Sequence, residues 1–192
     1  MNLIDNTESQ SSACTALDAF LEVLGPKIAQ YITLIMERLS GLLETAPLHT
    51  KALVTGAIGS AAHASGPDFK PYFAPTLARL RPFFALTAEG EEQELRGIAM
   101  DALGTMAEAI GKDDFRPFLG DAMTMALSGA NLGSARLKEC SFLLYGVLAR
   151  LFEAEFAVYL PTVVPALIES CQQIESGEDT TNFSTTISAF VI

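Results

Sequence analysis

Apolar residues along the chain fall at helical spacing, in blocks separated by breaks. The clearest block runs from Leu95 to Ile110, where Ala99, Ala102, Leu103, Met106 and Ile110 form a stripe with a 3.6-residue period. No stretch alternates apolar and polar residues as a half-buried strand would. Pro47, Pro67, Gly90, Gly111, Gly129 and Gly177 fall in or beside the breaks, and Pro26, Pro71 and Pro117 lie near helix starts, where a missing N–H costs nothing. The pattern predicts a helix over 11–24. Three pairs follow, 28–43 with 49–65, 69–86 with 92–110, and 115–128 with 134–153, and then a lone helix over 156–175. Pro75 and Pro82 lie inside the 69–86 block and predict a kink or a split there.

The blocks repeat. Ile28-Ala29-Gln30-Tyr31-Ile32, Phe69-Lys70-Pro71-Tyr72-Phe73, Phe115-Arg116-Pro117-Phe118-Leu119 and Phe156-Ala157-Val158-Tyr159-Leu160 share one form: a large apolar residue, two spacers, an aromatic and an apolar residue. Their offsets are 41, 46 and 41. Gly59, Gly104 and Gly146 keep the same register, and so do Lys51, Arg96 and Lys138, each eight residues before its glycine. Three landmarks in one register at this spacing suit HEAT or armadillo arrays and predict an all-α solenoid, a right-handed superhelix of antiparallel helix pairs. The expected organisation is a single array over 1–192. Residues 1–26 supply an inner helix only, 27–66, 67–111 and 112–154 are full repeats, and 155–192 is a partial repeat with an acidic C-terminal segment.

Composition narrows the function classes. The chain is 49% hydrophobic and 18% charged, which is globular, and its net charge of −11 argues against nucleic acid and suits basic partners. After Arg150 there is no Lys or Arg. Cys14, Cys140 and Cys171 are too widely spaced for a zinc site or a disulfide framework and read as reduced thiols. The N-terminal residues lack a basic start and an apolar core, so no signal peptide is expected. No apolar run is expected to reach the roughly 20 residues that span a bilayer.

Candidate chemistry is sparse. His49 and His63 have no convergent ligands, so no metal site is expected, and no cofactor. Neither Gly-x-Ser-x-Gly nor His-Glu-x-x-His occurs, which points away from an enzyme. Lys51, Arg96 and Lys138 are expected to form a ladder joining neighbouring repeats. The recurrent glycines are expected to let helices pack closely. The aromatics Phe69, Tyr72, Phe115, Phe118, Phe156 and Tyr159 read as core, with rims open to small apolar peptides.

The second helix of each pair resembles the inner helix of a HEAT repeat. Leu95-Arg96, Ala99 and Ala102-Leu103-Gly104 match that pattern, and Leu137-Lys138 with Gly146 match in part. The segments "TGAIGSAAHASGPDFKPYF" and "LRGIAMDALGTMAEAIGKDDFRPF" are similar to the middle repeats of importin-β superfamily karyopherins, nearest the importin 4-like subfamily and its fungal counterpart. The resemblance covers about residues 11–175. It implies a piece of a longer nuclear import receptor that shuttles between cytoplasm and nucleus. Such a receptor carries basic cargo such as histones and ribosomal proteins, touches nucleoporin Phe-Gly repeats, and meets Ran-GTP through other parts of the full-length protein. In such a superhelix the inner helices line the concave wall. Glu89, Glu91, Glu92, Glu94, Asp101, Glu108 and Glu139 are then the candidate cargo contacts. The competing reading is a HEAT scaffold, structural or regulatory, without a transport role.

Overall fold

The computed structural model describes residues 9–27 and 29–175. The chain divides into two compact units, Met1–Glu153 and Ala154–Ile192. Among the described residues every regular element is helical and none is a strand.

In the first unit, α1 (Gln10–Leu24) is followed by α2 (Ile32–Thr45), α3 (Leu48–Ser65), α4 (Lys70–Leu80), α5 (Glu91–Ile110), the single turn α6 (Lys112–Phe115), α7 (Leu119–Ala130) and α8 (Ala135–Phe152). Helices α2 and α3, α4 and α5, and α7 and α8 pack as pairs. Helices α1, α3, α5 and α8 stack in chain order to form one layer, while α2 and α4 meet in the other. This is a HEAT-type solenoid arrangement, in which each pair touches only its neighbours. The two middle helices of this layer, α3 and α5, are buried over most of their circumference. In α3, Ala52, Val54, Ala57, Ile58, Ala61 and Ala62 are all enclosed, as helices apolar almost all round must be.

The aromatic landmarks divide into two roles. Phe69 and Phe115 are fully enclosed, whereas Tyr72 and Phe118 sit half-buried at the rim. Phe73 joins the copies by edge-to-face contacts with Phe115 and Phe118, at centroid distances of 5.6 and 5.0 Å.

Helix starts differ from the pattern's expectation. The third aromatic segment forms α6 and a 3-10 turn, Arg116–Phe118, so the main helix begins at Leu119 rather than 115. In the 69–86 block the chain splits at Pro82, where the 3-10 segment Arg81–Ala85 follows α4, while Pro75 stays inside an unbroken α4. Pro75 removes one backbone hydrogen bond, to the carbonyl four residues back, and α4 continues through it to Leu80.

In the second unit, α9 (Leu160–Glu175) follows the 3-10 segment Glu153–Tyr159, and the Phe156 and Tyr159 rings pack at 5.6 Å, tilted by 49°. The expectation that no apolar run reaches bilayer length needs correction. The stretch Ala135–Cys171 holds an 18-residue window of mean hydropathy 1.5, long and apolar enough by composition to cross a membrane. Its backbone is interrupted at Glu153, which has φ 50°, and Pro165 lies within α9. Ile28, Gly177, Glu178 and Asp179, and the apolar stretch 183–192, lie outside the described residues.

Candidate functional site

Helix α5 carries most of the candidate carboxylates, and the structure sorts them by what already holds them. The chain enters α5 through Gly90, whose φ of 83° places it in the left-handed region. The Glu92 carboxylate turns back and accepts hydrogen bonds from the Thr87 and Ala88 backbone N–H groups at 3.2 and 3.0 Å. Gln93 donates to the Thr87 carbonyl at 3.0 Å. Glu92 therefore fixes its own loop. Glu89, Glu91 and Glu94 are exposed, and their carboxylates make no hydrogen bond or ion pair with the described residues. Glu91 and Glu94, in the first turn of α5, also complement the positive end of the helix dipole.

Further along, the carboxylates are paired across helices. Arg136, in the first turn of α8, reaches Asp101 on α5 at 3.3 Å and Glu139 on its own helix at 3.1 Å. Two turns on, Arg150 reaches Glu108 at 3.6 Å. The Cys140 thiol donates weakly to Asp101 at 3.7 Å. Burial pushes the Asp101 carboxyl up, against the pull of Arg136, and burial with the nearby Asp101 charge pushes the Cys140 thiol up to about 12. Asp101, Glu108 and Glu139 thus meet a basic ligand in competition with Arg136 or Arg150. Ser134 caps α8 by accepting from the Leu137 N–H, and a cleft of about 380 Å³ separates Gly90, Gln93 and Glu94 from Ser134 and Arg136.

The ladder expected from Lys51, Arg96 and Lys138 has one rung of this kind. Arg96 is 1% exposed; it donates to the Leu86 carbonyl at 3.0 Å and to Ser128 Oγ, on the next pair, at 2.9 Å. Its Nε has no partner, and burial lowers its pKa. Lys51 and Lys138 are half-buried, and their ammonium groups make no hydrogen bond or ion pair with the described residues. A lysine carries one ammonium on a flexible stem, and half exposure lets water solvate it. Sequence reading placed all three in one register but missed that only position 96 is enclosed.

A groove of about 530 Å³ runs between α2 and α4, lined by Met36, Pro71, Tyr72 and Pro75 with Glu44 and Arg79 at one end. Tyr72 and Thr33 share a 2.6 Å hydrogen bond across it. Among the described residues no group of three or more His, Cys, Asp or Glu side chains converges as a metal site would require.

A profile of the family described as "Importin subunit beta-1-like, TPR repeats" matches residues 2–189. The repeat spacing here is longer than the roughly 34 residues of a tetratricopeptide unit and suits HEAT repeats. The chain is 46% identical over 167 residues to a probable importin subunit beta-4 of Schizosaccharomyces pombe, covering 86% of this chain. It spans only 16% of that relative's length. Two solved structures share the fold. Kap121p bound to Pho4p has a TM-score of 0.77, and Kap121p bound to Nup53p has 0.76. Both are 20% identical, covering 87% of this chain and 16% of theirs.

Proposed function

Since the chain belongs to the importin subunit beta-1-like family, we propose that it is part of a nuclear import receptor and that the carboxylates at the start of α5 bind basic protein cargo. The observation that carries this reading is the division among the acids. Glu89, Glu91 and Glu94 are exposed and uncommitted, while Glu92, Asp101, Glu108 and Glu139 are held by the chain itself. A Lys- or Arg-rich segment can pair with the first three at no cost in broken contacts. The net charge of −11 adds long-range attraction. Histones and ribosomal proteins have the required chemistry. The α2–α4 groove, walled by Pro71, Tyr72, Pro75 and Met36, is suited to the apolar side chain of a nucleoporin Phe-Gly repeat. In this reading the protein binds and carries rather than catalyses, Ran-GTP acts on the longer receptor, and the receptor shuttles between cytoplasm and nucleus.

The test is titration of a fluorescent Lys-rich histone-tail peptide. Exposed ion pairs contribute about 0.2–1 kcal/mol each. The triple change Glu89→Gln, Glu91→Gln and Glu94→Gln therefore weakens binding about three- to hundredfold at low salt, taking tenfold per 1.4 kcal/mol. Helix content stays unchanged. Equal affinity of the triple variant and the parent would move the cargo site elsewhere. No binding by the parent at any salt would favour the scaffold reading.

A further inference from the structure

Arg96 presents a problem that neither cargo binding nor solenoid packing resolves. Its guanidinium is enclosed, its Nε is unpartnered, and no carboxylate pairs with it among the described residues. A buried cation without an anion is unfavourable, and nearly all buried arginines have one. Its charge is met by two neutral oxygens, the Leu86 carbonyl and Ser128 Oγ. Ser128 is itself exposed, in the last turn of α7 and three residues before the loop that starts at Asn131. A hydroxyl open to solvent on one side and bonded to an uncompensated guanidinium on the other is placed to become the missing anion.

We infer that Ser128 is a phosphorylation site and that Arg96 is the group that reads the phosphate. A protein serine kinase supplies the phosphoryl group from ATP. The bond between Ser128 Oγ and the γ-phosphorus forms, the bond from that phosphorus to the β,γ-bridging oxygen breaks, ADP leaves, and the hydroxyl proton passes to the kinase's base. Ser128 lies in the last turn of α7, where helices fray most readily; Gly129 and Ala130 beside it are buried, so a kinase reaches the hydroxyl when this turn opens. Once formed, the phosphate dianion sits on the fork of Arg96, replacing one neutral hydrogen bond by charge-assisted ones. The position at a helix C-terminus disfavours a negative charge, but that effect is small beside a direct contact with a desolvated cation. The consequence is a tighter junction between α5 and α7, that is, between one helix pair and the next.

The experiment uses the full chain with phosphoserine placed at 128 during translation, followed by phosphorus NMR against pH. Free phosphoserine has a second pKa near 6. A contacting guanidinium favours the dianion, so the titration midpoint of phosphoserine-128 falls by about one pH unit. The same chain with Arg96→Gln titrates near 6 again, and the phosphorylated parent melts higher than the unmodified one. If Arg96→Gln does not fold, the midpoint of the phosphorylated parent decides alone. A midpoint at or above 6 overturns the proposal. So does mass spectrometry of protein taken from the cells that naturally make it, with phosphatases inhibited, if peptide coverage of Ser128 is complete and no phosphate is found.

Discussion

Gly104, Gly59 and Gly146 occupy equivalent places, yet a methyl group at each would meet different surroundings. At Gly104 an added Cβ touches Leu144 Cδ1 and Val147 Cγ2 at 3.5 and 3.6 Å, which is ordinary contact. The expectation of close packing applies better to Gly59, where the nearest atom is the Ala102 backbone Cα at 3.4 Å. It applies better still to two glycines outside that register, Gly129, where Met100 Cε lies at 3.0 Å, and Gly97, where Cys140 Sγ lies at 3.1 Å. Gly104→Ala is therefore expected to stabilise the protein by about 0.5–1 kcal/mol through helix propensity. Gly97→Ala gains the same propensity but crowds an enclosed thiol and loses about 1–3 kcal/mol. Removing the thiol with Cys140→Ala relieves that loss. Urea unfolding of the parent, both singles and the double variant measures the coupling. Additivity within about 0.5 kcal/mol would show that the two residues do not press on each other. The register of these glycines was legible in the sequence, but the identity of the facing atom was not. The same limit hid the roles of Glu92 and Arg96. A carboxylate that folds back on its loop has the same one-letter code as one that faces solvent.

Among the elements, a conformation recurs that residue identity conceals. Gly25 and Gly66 end α1 and α3 at φ 48°, ψ −128° and φ 53°, ψ −131°. Glu153 ends α8 at φ 50°, ψ −122°, the same backbone geometry. Each stands three residues before its aromatic segment, at Ile28, Phe69 and Phe156. This is a fourth landmark, missed because the last copy carries glutamate where the others carry glycine. The region is open to glycine and strained for any residue with a Cβ, at a cost of about 1–3 kcal/mol. Glu153→Gly relieves that strain but adds freedom to the unfolded chain, worth about 0.5–1 kcal/mol. The net expectation is a stabilisation of about 1 kcal/mol, read as a higher denaturant midpoint with an unchanged slope. A destabilised Glu153→Gly would mean that the glutamate side chain contributes more than the strain costs. Helix existence and pairing were readable because the apolar stripes are long and periodic. Helix starts were not, since the aromatic segments satisfy their first backbone groups with 3-10 turns that leave the same apolar spacing.

For the whole molecule the opposing quantities are the net charge of −11 and the ion pairs that link successive helix pairs. Lys70 with Asp114, Arg79 with Glu44, Arg81 with Asp121, Arg136 with Asp101 and Arg150 with Glu108 each join one pair to the next. All of these side chains are more than a third exposed, so each pair contributes little, about 0–1 kcal/mol, and is itself screened. Self-repulsion among the surplus carboxylates acts over longer distances. Raising ionic strength from 0.01 to 0.15 M shortens the screening length from about 30 to about 8 Å. That removes the long-range repulsion almost entirely while only weakening contacts of 2.6–3.6 Å. The melting temperature is therefore expected to rise with salt over this range. A fall would show that the cross-pair bridges outweigh the repulsion. A Lys-rich peptide at saturating concentration acts on the same balance, because it binds the folded form and neutralises its surplus charge. Its stabilising increment is expected to be largest at 0.01 M and to shrink at 0.15 M. An increment that does not change with salt would place the peptide on an apolar surface such as the α2–α4 groove rather than on Glu89, Glu91 and Glu94.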